Sequence, residues 1–268
     1  MGTMLSDQGL TESQIKAAQL MGISYEEMYN RIKKLEYKRA TNVAVIIPVY
    51  NGEKYIEECV KSALHQTYDN MEVVVVNDGS TDSTHDICKY VNDITYLIKP
   101  NGGTASALNL GIRNTESSWI HWLSADDVLY PDAIENMFNK IDKTPNNKDY
   151  IYYSDYDIID KDSQKIGEFI EPVHRNLRSK DERFKELMSN YYGNGSTTMI
   201  HRTVFERVGY FDESLAHSED YDFLLKAMSK GIDLKSIPIK TLKYRYHDEQ
   251  MTKKVGGSLN EMIRSRYR

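Results

Sequence analysis

Four apolar runs, Val43–Val49, Glu72–Val76, Ile94–Ile98 and Trp119–Leu123, recur along the first half of the chain, and helical patterns fill the gaps between them. Val43-Ala44-Val45-Ile46-Ile47-Pro48-Val49 is a continuous and largely β-branched run, the pattern of a strand covered on both faces. The stretch from Glu53 to His65 places Ile56, Val60, Ala63 and Leu64 on one helical face. Ser80 is placed to cap a helix through Ile87 and Tyr90, and Gly102-Gly103 opens one through Ala107, Leu108 and Ile112. Strand and helix alternating in this way predict a parallel sheet with right-handed crossovers.

In such a sheet the strand C-termini meet along one edge, where open α/β sheets bind ligands. The edge would collect Pro48-Val49-Tyr50-Asn51, Asn77-Asp78-Gly79-Ser80, Lys99-Pro100-Asn101-Gly102-Gly103 and Ser124-Ala125-Asp126-Asp127. The last is the most informative, because the Trp119–Leu123 run ends abruptly in two adjacent carboxylates. Paired carboxylates at a strand end suit a hard divalent cation that bridges to phosphates. The same residues also suit an N-cap before Pro131, and alone they do not decide between the two. No GxxxxGK[ST] and no GxGxxG occurs, which gives no support to a P-loop ATPase or a dinucleotide enzyme. Tyr50 could stack on a base, Asp78 could accept from a ring N–H, and the glycines would let backbone approach a ligand closely.

The second half is less regular. A helix is expected after Pro131 (stripe Ile134, Met137, Phe138, Ile141), a strand at Tyr150–Tyr153, and a hairpin from Asp155–Asp160 and Lys165–Ile170. Helices follow at Asp181–Ser189, Thr203–Val208 and Glu219–Lys230, with strands at Ser196–His201 and Thr241–Tyr246. The tail, 251–268, is expected to be helical over Gly256–Arg268.

Residues 1–40 are different in kind. Thr11 is placed to cap a short helix, Gly22 breaks it, and Ser24 to Glu27 has capping-box spacing for a second. Helix, glycine turn, helix resembles small DNA-binding helix pairs, with Arg31, Lys33, Lys34 and Lys38 as the phosphate contacts. Glu12, Glu26, Glu27 and Glu36 nearly balance these four cations and Arg39, which favours a hairpin that packs or dimerises over one that holds DNA.

Composition sets outer limits. A net charge of −6 excludes a globally basic nucleic-acid or membrane binder. Cys59 and Cys88 lack CxxC spacing and read as small buried thiols, not a zinc or disulfide framework. No apolar run approaches the ~20 residues of a membrane span and no signal peptide is evident. The expectation is a cytoplasmic protein compatible with a peripheral place at the inner face of the membrane. Twenty tyrosines against six phenylalanines suit a wet binding cleft.

Taken together, "VAVIIPVYNGEKYIEECVKSALHQTY", "EVVVVNDGSTDST", "NGGTASALNLGI" and "WLSADDVLYPDAI" resemble the nucleotide-sugar half of family 2 glycosyltransferases. "GYFDESLAHSEDYDFLLKAMSKG" resembles the acceptor half. The likeness covers about residues 42–250 and leaves out the N-terminal helix pair. It implies a GT-A fold, a Rossmann-like α/β domain over 41–250, with its nucleotide-sugar half at 41–130 and its acceptor half at 131–250. It also implies inverting transfer of a hexosyl or N-acetylhexosaminyl group from a UDP-sugar, assisted by Mn²⁺ or Mg²⁺. The acceptor implied is a glycan, a lipid-linked saccharide or a cell-wall polymer.

By position, the resemblance puts Pro48, Val49, Tyr50 and Glu53 around the base and ribose, with Asn101 and Gly102 beside them, and has Asp78 read the uracil. Asp126 becomes the chief metal ligand, Asp127 lies near the donor sugar, Asp220 is the general base, and His247 touches metal or diphosphate. Two departures stand out. Ser124 occupies a place where such motifs usually carry a carboxylate, which adds a hydroxyl but no charge, and Leu108 stands where an arginine is frequent. Ser124 motivates a second possibility, an inactive UDP-binding relative. The helix pair motivates a third, a nucleic-acid binder or a transferase acting on modified DNA bases.

Overall fold

The computed structural model describes residues 10–170, 179–189 and 194–250. The chain forms two compact units that divide between Asn42 and Val43. The helix expected in the tail lies outside the described residues.

The first unit is a hairpin of α1 (Glu12–Met21) and α2 (Tyr25–Thr41). Thr11 and Gln14 exchange the two bonds of a capping box, 3.3 and 2.8 Å, and Gly22 ends α1 in the left-handed region. Ser24 caps α2 by accepting from the Glu27 amide at 3.0 Å. The Glu27 carboxylate turns to Arg31 at 2.7 Å, and Lys33 pairs with Glu36 at 2.9 Å. Two of the four cations expected to face DNA are thus paired along their own helix.

The second unit runs β1 (Val43–Val49), α3 (Ile56–Leu64), β2 (Met71–Asn77), α4 (Thr84–Cys88), β3 (Ile94–Ile98), α5 (Thr104–Arg113) and β4 (Trp119–Trp122). It continues through β5 (Val128–Leu129), α6 (Ala133–Ile141), β6 (Tyr150–Ile159), β7 (Lys165–Phe169), α7 (Lys180–Ser189), β8 (Met199–His201), α8 (Arg202–Val208), α9 (Glu219–Ser229) and β9 (Asp233–Arg245). The strands form one sheet in the order β3-β2-β1-β4-β8-β6-β9-β5, with β7 beside β6. β1, β2, β3 and β4 are mutually parallel, whereas β8 joins β4 antiparallel. The strand order grows outward from β1 to β3 and then restarts on the other side at β4. The switch point therefore lies between β1 and β4, the place where such sheets open a crevice for ligand.

The unbroken apolar run of β1 has a direct cause. Ala44 and Ile46 face a core built with α5, α8 and α9, while Val43, Val45 and Ile47 face another built with α3 and α6. Each of these side chains is 0% exposed, and burying a Val or Ile is worth about 1.5–3 kcal/mol. Cys59 and Cys88 are buried free thiols within the second core. Among the described residues no helix is long and apolar enough to cross a membrane.

Four local expectations are corrected. Ser80 does not cap a helix: α4 starts at Thr84, and the Ser80 hydroxyl accepts from the Asn51 amide at 3.0 Å. Tyr150–Tyr153 and Asp155–Asp160 are one strand, β6, whose pairing with β9 shifts register at Ser154 and Asp155. Gly195–Thr197 is a 3₁₀ turn and not part of a strand, because the Thr197 and Thr198 hydroxyls donate back to Asn194 O and Gly195 O. β9 begins at Asp233, well before Thr241; Pro238 inside it masked the strand pattern.

Candidate active site

The loops after β1 and β2 are tied to each other. The Asn51 carboxamide accepts from the Thr81 amide at 2.8 Å, the Glu53 amide donates to Asp82 at 3.0 Å, and the Glu53 carboxylate accepts from the Ser83 amide at 2.9 Å. Pro48 and Val49 are buried in β1, and Val49 O accepts from the Asp78 amide at 2.8 Å. Tyr50, Glu53, Asn101 and Gly102 are exposed at this edge, with Tyr50 at 52%.

Asp78 is only 3% exposed. Its carboxylate accepts from the Gly102 amide at 3.0 and 3.2 Å, from the Gly103 amide at 2.7 Å and from Lys99 Nζ at 2.5 Å. The anion stationed at the N-terminus of α5 is therefore the protein's own side chain, where the helix dipole favours it. Gly103, the residue before α5, takes φ +87°, open to glycine without strain. At Gly79 a Cβ would lie 2.7 Å from the Asn101 amide nitrogen, so the loops after β2 and β3 touch through backbone.

Across the switch point, β5 pairs antiparallel with β9, Val128 opposite Lys243. This pairing zips the segment after Asp126-Asp127 to the strand that precedes His247. His247 Nε2 lies 3.0 Å from Asp126 Oδ2, with side-chain exposures of 11% and 29%. Tyr55 packs its ring 4.9 Å from the His247 ring. The His247 amide donates to Gln250 at 3.3 Å, and Gln250 in turn donates to Arg245 O, which closes the turn around the histidine. An imidazole nitrogen with a carboxylate oxygen is a donor set that suits Mn²⁺ well and Mg²⁺ less well. Among the described residues no cluster of three His, Cys, Asp or Glu side chains forms.

Asp127 is 0% exposed, and its Oδ1 accepts from the Arg245 amide at 2.9 Å. Burial, reinforced by neighbouring Asp126, pushes its carboxyl well above the usual carboxylate range. The resemblance sets this residue near the donor sugar, and its side chain has no exposed surface. Ser124 is held by Ser196, whose hydroxyl donates to Ser124 Oγ at 2.9 Å and accepts from the Ser124 amide at 3.0 Å. Asp220 stands at the start of α9, part-buried, and its Oδ1 accepts from the Tyr221 amide at 2.8 Å. Its neighbour Glu219 is 8% exposed and is pushed up to about 7 by burial and by the charge of Asp220.

Four residues escaped the sequence reading: Arg245, Tyr55, Glu58 and Ser196. Arg245 is 1% exposed, donating from Nε to Asp126 O at 2.8 Å and from Nη2 to Glu58 at 2.6 Å. Its guanidinium carbon sits 4.6 Å from the Tyr55 ring centre. One signal was available: Arg245 precedes His247 by two residues in "YRYH", the spacing that puts both on one side of an extended chain.

Comparison with known proteins bears on the family and the fold. Residues 44–209 match the family described as glycosyl transferase family 2. An uncharacterized glycosyltransferase of Rickettsia typhi is 40% identical over 223 residues, which is 82% of this chain and 68% of that protein. Chondroitin synthase of Escherichia coli is 29% identical over 221 residues, 80% of this chain but 31% of that protein. The crystal structure of S. aureus TarS 1-349 in complex with UDP-GlcNAc aligns with a TM-score of 0.60 at 21% identity, covering 81% of this chain and 61% of that one. The shared architecture is the GT-A fold. With a match running from β1 to the end of α8, and a relative 40% identical across 82% of this chain, the chain belongs to glycosyl transferase family 2.

Proposed function

We propose that this chain moves a sugar from a UDP-sugar to an acceptor hydroxyl with inversion at the anomeric carbon. The observation that carries the proposal is the convergence of Asp126 and His247, 3.0 Å apart, beside the switch point where the loops after β1, β2 and β3 gather. Asp126 and His247 are the residues that would hold Mn²⁺ or Mg²⁺. The bound cation would supply Lewis-acid neutralisation of the charge on the departing diphosphate.

The remaining work falls to the chain itself. Asp220 takes the proton from the acceptor hydroxyl as that oxygen bonds to the anomeric carbon. The bond from that carbon to the diphosphate breaks on the opposite face, and UDP leaves with the electron pair. Tyr50, Glu53 and Asn101 meet the base and ribose at the exposed edge, with Pro48 and Val49 as its floor. Asp78 fixes the 99–103 loop through the Gly102 and Gly103 amides, and it reads the uracil N–H where the Lys99 side chain now donates. Ser124 faces the nucleotide with a hydroxyl.

UDP-GlcNAc bound to TarS supports a UDP-sugar donor, and the likeness to chondroitin synthase supports a glycan acceptor. A lipid-linked saccharide or cell-wall polymer presents the same hydroxyl chemistry. A thermal-shift panel of UDP- and GDP-sugars, with and without Mn²⁺, tests the reading. Metal-dependent stabilisation by a UDP-sugar is expected; an equal or larger shift from a GDP-sugar without metal would sink it.

A further inference from the structure

We propose that Arg245 is a positioning residue that holds Asp126 and His247 in register for a divalent cation, an inference that rests on the metal reading above. Arg245 belongs to neither ligand, yet it reaches both. Its Nε donates to the backbone carbonyl of Asp126 at 2.8 Å. Its guanidinium lies over the Tyr55 ring at 4.6 Å, and that ring packs against His247 at 4.9 Å. The guanidinium is anchored elsewhere by Glu58 at 2.6 Å and by Ser163 Oγ at 2.8 Å, in the turn between β6 and β7. One planar group therefore ties the two ligands to α3 and to the β6–β7 hairpin.

Stability alone is a poor reason to bury this charge. A buried ion pair is often no better than a well-packed hydrophobe, because desolvation offsets the attraction. Geometry is the better reason. Arg245 makes these contacts with three different nitrogens of a rigid fork, an arrangement that a lysine, with its single point of charge, cannot reproduce. Partners that orient metal ligands from behind typically alter metal affinity by about 10–100-fold when removed.

The test is Mn²⁺ binding to the full chain without nucleotide, followed by electron paramagnetic resonance of free Mn²⁺, with folding checked by circular dichroism. Arg245→Lys is expected to weaken Mn²⁺ binding about tenfold or more in folded protein, while metal-free UDP binding by calorimetry stays unchanged. Glu58→Gln and Tyr55→Leu are expected to shift Mn²⁺ affinity in the same direction, and they carry the test if Arg245→Lys does not fold. Asp126→Asn separates the two layers. If it abolishes Mn²⁺ binding while the Arg245, Glu58 and Tyr55 variants bind as wild type does, the positioning role is overturned and the metal site stands. If Asp126→Asn binds Mn²⁺ unchanged, the metal reading fails and this inference falls with it.

Discussion

His247 Nε2 and Asp126 Oδ2 lie 3.0 Å apart although 121 residues separate them in the chain. The short β5–β9 ladder brings them together: Leu129 pairs with Leu242 and Val128 with Lys243. On one side it leaves Asp126-Asp127 just before β5, and on the other it leaves His247 just past β9. A pair assembled by a two-residue strand needs further support, and Tyr55, Gln250 and Arg245 supply it.

The two ligands are not expected to be equal. Asp126→Asn removes the charge and should abolish Mn²⁺ binding, with UDP-sugar turnover falling on the order of 100-fold or more. His247→Ala leaves the carboxylate and should cost less, on the order of tenfold, much of it recoverable at high Mn²⁺. Turnover is read as UDP release against metal concentration. Equal losses with no rescue by metal would argue that His247 does something other than ligate.

Asp220→Asn isolates the chemical step. It keeps the side-chain oxygen that accepts from the Tyr221 amide at 2.8 Å, so α9 should start unchanged. Removing a general base typically costs about 10²–10⁴-fold in rate. The loss should fall on kcat, with UDP-sugar affinity by calorimetry within about twofold of wild type. A variant that retains most of its turnover would remove Asp220 from the mechanism.

How much of this was legible in the sequence follows from where the information sits. β1 was readable because a strand covered on both faces is almost continuously apolar, a signal that needs no partner, whereas β3, part-exposed at the sheet edge, was readable from its place in the alternation of strands and helices. The loops after them were readable because glycine and asparagine turns at strand ends have few other uses. Arg245 gave only its spacing to His247, since a buried arginine earns its place through Glu58, Tyr55 and Asp126 O, all distant in sequence. The 3₁₀ turn at Gly195–Thr197 was hidden for a similar reason: its apparent strand pattern yields to hydroxyl-to-backbone bonds made by Thr197 and Thr198. Asp78 and Asp127 were found as motif members, but their burial, which sets what they can touch, depends on α5 and β9 being in place.

Gly195 offers a clean test of packing beside the site. An added Cβ would lie 2.6 Å from Trp122 Cε3 and Cζ3, inside contact distance on a ring that is itself packed edge-on against Phe211. Gly195→Ala should therefore destabilise by about 1–3 kcal/mol, read as a lowered denaturation midpoint. Because the same turn carries Ser196, which holds Ser124 at 2.9 Å, UDP-sugar affinity should fall as well. Trp122→Phe in the Gly195→Ala background should restore part of the stability by opening space for the methyl. No recovery would mean that the strain lies in the backbone and not against the indole.

Glu219 gives a pH dependence with a definite sign. Its carboxyl is pushed from the ordinary 4.5 up to about 7, first by burial and then by the charge of Asp220. The folded state therefore prefers the protonated form. The stability this contributes is fully present below pH 4.5 and is lost as pH rises through 7, because ionisation then costs more in the folded than in the unfolded chain. Glu219→Gln is neutral at every pH and keeps the shape. It should match wild type in acid and become progressively more stable than wild type above pH 5, levelling near pH 8 at about 3 kcal/mol. Thermal midpoints of the two proteins from pH 4 to 8 make the comparison. A gap that stays constant with pH would show that the carboxyl titrates normally and that Asp220 works beside an ordinary glutamate.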